Sequence, residues 1–342
     1  MLGTASDIRQ GNAVTCPVAP PADPPAASVA RMTRPLSGTQ YELTFGDYSA
    51  TIASVGASLR TLTHRGRDLV VPFDADSVRP AYRGAALAPW PNRIGGGAYR
   101  FDGVLQQVPL TEPERGNALH GLATWLDFGA IEQTPSRVTL GATIVAQPGY
   151  PHRVDVEVVY ELGADGLRSA ITGVNTGPDA APWGTGPHPY LVAGPGLVDD
   201  WSLLLPADEV LEVTPDTLLP LGLASVDTAN DGAWDFRESR QIGSVFIDHA
   251  FTSLARDAAG RASVEVRAAG GEGVAITWDA ACPWVQVHTA DQPQPELHPE
   301  LHRVGLAVEP MTCPPDAFNS GTDLIVLGPG ESHTAGWTIS AL

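Results

Sequence analysis

From Gln40 to its end, this chain repeats short apolar and polar alternations separated by tight turns, and that pattern leaves it few folds to adopt. Val154, Val156, Val158 and Tyr160 alternate with Asp155 and Glu157, after which Gly163 to Gly166 turns the chain into Leu167, Ser169 and Ile171. A period of two sends successive side chains to opposite faces, so such a hairpin has one dry face and one wet face. Tyr41, Leu43 and Phe45, the Gly46-Asp47 turn, and then Ala50, Ile52 and Ser54 read the same way. So do Arg137 to Val145, the pair Ala262–Ala268 and Val274–Trp278, and a C-terminal pair, Thr322–Leu327 and Thr334–Ile339, joined by Gly328-Pro329-Gly330. With Gly at 36 and Pro at 31 of 342 residues, and with neither a sustained amphipathic helix nor a fixed repeat, the expected class is all-β, an antiparallel sandwich or barrel. One large β domain is expected over 37–342. Residues 1–36, with the Ala/Pro-rich stretch Ala19 to Ala27, show no period of either kind and are expected to form a disordered leader.

Composition narrows the partners. Lys+Arg 20 against Asp+Glu 39 gives a net charge of −19, which disfavours nucleic acid and anionic membrane surfaces and leaves a neutral ligand unaffected. Cys16, Cys282 and Cys313 are odd in number and widely spaced, so neither a disulfide framework nor a structural zinc site is indicated; a reducing, cytoplasmic setting is expected. No apolar run approaches the ~18–20 residues of a membrane span, and the first residues lack the basic start and apolar core of a secretory signal.

Chemistry concentrates in a few stretches. Glu309 opens EPMTCPPDAFNSG, where Pro310, Pro314 and Pro315 fix φ and remove donors, so this segment reads as a shaped loop after a short strand, Val304 to Val308, with Glu309 at the strand end. His188 stands between Pro187 and Pro189, and an imidazole of ordinary pKa ~6.5 exchanges a proton near neutrality. Arg93 reads as lying in a loop bounded by Pro91 and Gly95, ahead of a glycine turn, and is equally suited to a carboxylate or to ligand hydroxyls. His120 precedes Gly121 in a turn. Asp248 sits in the apolar frame Phe246 to Phe251, where a partly buried acid needs hydrogen-bonding partners. Trp284, Gln286 and His288 share one strand face and suit a sugar as well as they suit an ordinary sheet. His298 and His302 are spaced i, i+4, but with Pro299 between them they do not form a zinc motif and read as a solvated loop.

Taken in order, NRIGGGAYRFDG from Asn92, NALHGL from Asn117, TGPHPYL from Thr185, FIDHAF from Phe246, WVQVHTAD from Trp284 and EPMTCPPDAFN from Glu309 resemble the aldose 1-epimerase (galactose mutarotase) family, over about Gly38 to Leu342. The resemblance implies a β supersandwich that interconverts the α and β anomers of free hexoses such as glucose or galactose. It implies no cofactor and no metal, a small-molecule hexose as partner, and a monomer or homodimer. It makes Glu309 the base at the anomeric hydroxyl and His188 the acid at the ring oxygen, with Arg93, His120, Asp248 and Gln286 binding hydroxyls. Two departures bear on sugar preference: Pro187 stands where many members have asparagine, and His288 where tyrosine is common. Alternatives are a hexose-phosphate mutarotase, a glycoside hydrolase using Asp248 and Glu309, and a non-catalytic carbohydrate-binding module.

Overall fold

The clearest alternation becomes the longest hairpin. Strands Val154–Gly163 and Gly166–Asn175 pair antiparallel, with Val158 opposite Ile171 and Gly163 opposite Gly166. The computed structural model describes residues 34–292 and 294–342, which belong to one compact unit, Arg34–Leu342. The Ala/Pro-rich stretch and Cys16 lie outside the described residues.

Two sheets dominate. The larger has nine strands, in the order Gly129–Gln133, Arg137–Ile144, Val154–Gly163, Gly166–Asn175, Ser332–Ala341, Gly273–Trp278, Ala262–Arg267, Ser202–Leu204 and Arg240–Gln241. The second has six: Tyr190–Leu191, Leu306–Met311, Trp284–His288, Asp248–Leu254, Ala207–Val213 and Pro220–Ser225. Every pairing within them is antiparallel. The inward residues of both, among them Val156, Ile171, Ile276, Trp278, Phe251, Val287 and Val308, join one buried core. Burying each aliphatic side chain of this kind stabilises the fold by roughly 1.5–3 kcal/mol. This is the all-β sandwich expected, and the one α-helix among the described residues is the short Ala317–Ser320.

Three local expectations are corrected. The C-terminal pair is not a hairpin: Ile325–Leu327 pairs with Ala181–Trp183, while Ser332–Ala341 inserts between Gly166–Asn175 and Gly273–Trp278. Alternation marks strands but carries no information about their partners. Arg93 is not in a loop; it begins the short strand Arg93–Gly95, paired with Asn117–Leu119. Glu309 is not at a strand end either. It lies inside Leu306–Met311, with Pro310 opposite Val285. Proline is tolerated there because the neighbour on the other side, Tyr190–Leu191, pairs only with Ala307 and Leu306, leaving the far half of the strand without a ladder for the missing N–H to disrupt.

The Glu309 strand is therefore anchored by core packing. Leu306→Ala removes a fully buried side chain from it and should lower stability by about 2–5 kcal/mol in denaturant unfolding. An unchanged midpoint would contradict the central position of this strand.

Candidate active site

Three neighbouring strands set the chemistry by their register. Gln286 is directly opposite Glu309, and His288 is opposite both Asp248 and Ala307. Paired residues share a face, as do alternate residues along a strand, so Asp248, Gln286, His288 and Glu309 all project to one side. Val287 and Val308 project to the other and are fully buried in the core.

Tyr190 continues this row opposite Ala307, and Ala81, Tyr82, Asn92, Arg93, Leu119, His120 and His188 join it to close a cavity of about 130 Å³. Ala81, Tyr82, Asn92 and His120 all hold left-handed backbone, with φ of 46°, 54°, 55° and 63°. Such conformations cost roughly 1–3 kcal/mol each and gather where a site over-determines them. Asn92 and His120 brace one another: the His120 N–H donates to the Asn92 carbonyl at 2.8 Å, and the Asn92 N–H donates to His120 Nδ1 at 3.2 Å. With Nδ1 accepting, the neutral ring carries its proton on Nε2. Gly121 follows because the Ala88 carbonyl comes to within 2.1 Å of where a Cβ would stand, at a φ of 77°.

His188 is fixed by its backbone. Its N–H donates to the Ala85 carbonyl at 3.1 Å and its carbonyl accepts from Gly84 at 2.7 Å, between two prolines that offer no donors. Its ring lies between Tyr82 and Tyr190, nearly parallel to both, with centroids 6.3 and 5.1 Å away. Nε2 then falls 3.4 Å from Glu309 Oε1. Asp248 is the polar hub of the opposite wall. Gln286 Nε2 donates to its Oδ1 at 2.6 Å, His288 Nδ1 stands 3.9 Å from that oxygen, and Arg93 Nη2 is 3.8 Å from Oδ2.

Burial orders the protons. It pushes the His188 ring down to about 3, helped by His288 and Arg79, and it drives His120 well below the ordinary imidazole value, helped by His188 and Arg93. Burial raises Glu309 well above the usual carboxylate range; the Asp248 charge adds to this and Arg93 opposes it. Burial also acts to raise Asp248, but His288, Arg93 and the Gln286 hydrogen bond win, and its pKa lies below the ordinary value. The cavity thus favours the ionised form of Asp248 beside the neutral forms of Glu309 and His188. That differs from a carboxylate and an imidazole each near its unperturbed value, as expected from residue types alone, because the cavity penalises both charged forms.

All six residues singled out in the sequence, Arg93, His120, His188, Asp248, Gln286 and Glu309, line this one cavity. Trp284 does not: it packs on Leu211, Ala250 and Met311 and donates its indole N–H to Asp323 at 2.7 Å. Sequence reasoning left out Tyr82, Asn92 and Tyr190. Tyr190 had a signal, since it ends the His188 motif; Tyr82 had none, because a rare backbone conformation brings it in. His288 was placed on the Gln286 face without a role. A larger cavity, about 620 Å³ beside the outer face of the nine-stranded sheet, is lined by Ser263, Thr277 and Thr338 with the ion pairs Arg168–Asp165 and Arg261–Asp257. Four of its five charged residues are already paired, the exception being Asp279, whereas in the smaller cavity His188 Nδ1, Gln286 Oε1, His288 Nδ1 and Glu309 Oε2 are buried with no partner among the described residues.

The fold and this cavity describe a β-sandwich protein with a small, buried, polar cavity at one sheet face. Residues 39–340 match the family model for aldose 1-epimerase, and the chain belongs to that family. It is 39% identical over 298 residues to the uncharacterized protein YihR of Escherichia coli, covering 87% of this chain and 91% of that one. Among solved structures, the GalM/aldose epimerase homologue from C. elegans superposes with a TM-score of 0.76 at 19% identity, over 89% of this chain and 98% of that one. Galactose 1-epimerase from Lactobacillus acidophilus gives 0.71 at 17% identity, over 87% and 92%. At these identities the structural likeness speaks for the fold.

The depressed histidines give stability a pH dependence. His188 and His249, the latter pushed down to about 4 by burial, together with His120, bind protons more readily when unfolded, where an imidazole titrates near ~6.5. Their contribution is complete above that value and is lost as pH falls through it toward about 4. Glu309, raised, acts in the opposite sense but is one group against three. The thermal midpoint should therefore drop between about pH 7.5 and about pH 5, and drop less in His188→Asn. Equal drops in both proteins would contradict the neutral, buried state of His188.

Proposed function

We propose that this protein is an aldose 1-epimerase, an isomerase that interconverts the anomers of a free hexose by opening and reclosing its ring. The observation that carries this reading is the His188–Glu309 pair, 3.4 Å apart, each with a second polar atom buried and unpartnered, in a cavity that also holds an ionised Asp248. The cavity, about 130 Å³, is well below the ~300–1,000 Å³ of pockets for drug-sized ligands, so it fits a monosaccharide better than a polymer. Its wall mixes acceptors and donors: Asp248 accepts, while Arg93 and His120 Nε2–H donate. A hydroxyl does both, and can bridge the 3.8 Å between Arg93 Nη2 and Asp248 Oδ2.

Ring opening removes a proton from the anomeric hydroxyl and adds one to the ring oxygen. The pair must therefore hold one proton in total. Burial favours that proton on Glu309; its passage across the 3.4 Å contact to His188 leaves a carboxylate to take the hydroxyl proton and an imidazolium to protonate the ring oxygen. The carbonyl carbon then turns about its bond to the next carbon, and reclosure with the two roles exchanged returns the other anomer and the original proton count. Free Cys282 and Cys313 fit a cytoplasmic setting, and no described helix is long and apolar enough to cross a membrane.

A hexose phosphate is the second reading, favoured by one observation. Arg83, beside the cavity-lining Tyr82 and 5.8 Å from the Tyr190 ring, is buried, its side chain makes only a 3.3 Å bond to the Pro72 carbonyl, and the carboxylate that acts on it, Glu300, does so without closing an ion pair.

Optical rotation of freshly dissolved α-anomers of glucose and galactose, and of hexose 6-phosphates, tests both readings. Glu309→Gln and His188→Asn should each cost roughly 10²–10⁴-fold in kcat while sugar binding, followed by calorimetry, persists. Near-normal turnover in both variants would sink the assignment. Since His188 titrates near 3, kcat/KM should show no acid limb near ~6.5 and should fall at alkaline pH, as the pair loses its proton through the raised Glu309 value. An acid limb at the ordinary imidazole value would contradict this proton count.

A further inference from the structure

We infer that Glu112, which does not line the cavity, is a positioning residue that holds the Arg93 guanidinium away from Asp248 and so keeps a hydroxyl-binding gap open between them. The inference rests on the mutarotase reading and assigns one more residue to it. Glu112 is buried, and its carboxylate takes Arg93 side-on: Nε donates to Oε2 and Nη2 to Oε1, each at 2.9 Å. It is itself held from three sides. Asn117 Nδ2 donates to Oε2 at 3.0 Å, Arg115 Nε stands 3.5 Å from Oε1, and the backbones of Glu112 and Asn117 exchange bonds at 3.1 and 3.2 Å.

The consequence lies at the same nitrogen, Nη2, which carries a second N–H. Nη2 reaches only to 3.8 Å from Asp248 Oδ2, too far for a hydrogen bond, although both groups are charged and neither is exposed. Two such groups with nothing restraining them close to ~2.7–2.9 Å. A closed Arg93–Asp248 pair would occupy the carboxylate oxygen and the N–H that a sugar hydroxyl needs. Glu112 outcompetes Asp248 because it offers two parallel bonds where Asp248 offers one, and Gln286 pins Asp248 Oδ1 from the other side at 2.6 Å.

The test is Glu112→Gln, which keeps the shape and one acceptor but removes the charge and the second parallel bond. KM for the sugar that the wild type turns over should rise roughly 10- to 100-fold, the loss of one hydrogen bond to a charged group, with kcat within about threefold because His188 and Glu309 are untouched. Glu112→Asp, which keeps the charge, should recover part of that loss. In an Arg93→Gln background, Glu112→Gln should raise KM no further. A crystal structure of Glu112→Gln should show the Arg93–Asp248 separation shortened to hydrogen-bonding distance. An unchanged KM with only a lowered thermal midpoint, or a guanidinium that has not moved, overturns the proposal. If the wild type turns over no sugar, the mutarotase reading fails, and the crystallographic distance still decides whether Glu112 restrains Arg93. Should Glu112→Gln fail to fold, the KM of Glu112→Asp and its Arg93–Asp248 distance decide in its place: a raised KM with a changed distance supports the role, and wild-type values for both refute it.

Discussion

Strand register is the constraint on which the rest of this molecule depends. Glu309 opposite Gln286, and Asp248 opposite His288, place four polar side chains on one face of a sheet whose other face is buried. A slip of one residue would turn Glu309 into the core and bring Val308 to the cavity, burying an unpartnered acid. The apolar residues that fix the register, Val285, Val287, Val308 and Leu306, are fully buried. Hydrophobic packing on one side of the sheet therefore specifies acid–base geometry on the other.

The same burial sets the electrostatics. A carboxylate and an imidazole taken out of water both favour their neutral forms, so burial favours the shared proton on Glu309. Asp248 escapes this fate only because a hydrogen bond from Gln286 and the nearby His288 and Arg93 stabilise its charge. Two acids that line one cavity are thus pushed in opposite directions. The difference between them is a property of their neighbours, chiefly of His288 and Arg93, and it extends back through Arg93 to Glu112.

Much of this was legible in the chain before folding. The hairpin Val154–Gly163 with Gly166–Asn175 reads directly from alternation and a turn, because both partners are adjacent in sequence and the signal is local. The motifs around Arg93, His120, His188, Asp248, Gln286 and Glu309 carried the site, since each has an uncommon polar residue beside proline, glycine or an apolar frame. What misled was equally physical. Three prolines near Glu309 suggested a loop, yet Pro310 lies in a strand because the Tyr190–Leu191 ladder stops short of it and asks for no N–H there. Trp284 shares the face of Gln286 but fills a packing position among Leu211, Ala250 and Met311, where shape rather than chemistry decides. Glu112 carried no signal at all, because its importance depends on Arg93, a partner 19 residues away in the chain.

By itself the sequence determined the all-β class, most of the strands, and the set of side chains able to exchange protons or hold hydroxyls. These follow from local periodicity, from turn chemistry and from the identity of each residue. Tertiary structure alone decided which strands are neighbours, that Ser332–Ala341 closes the nine-stranded sheet between two others, and that Tyr82 and Tyr190 flank His188. It also decided where the protons sit. A pKa depends on burial and on charges a few ångströms away, and neither distance nor burial is written along a chain until non-local strands have paired.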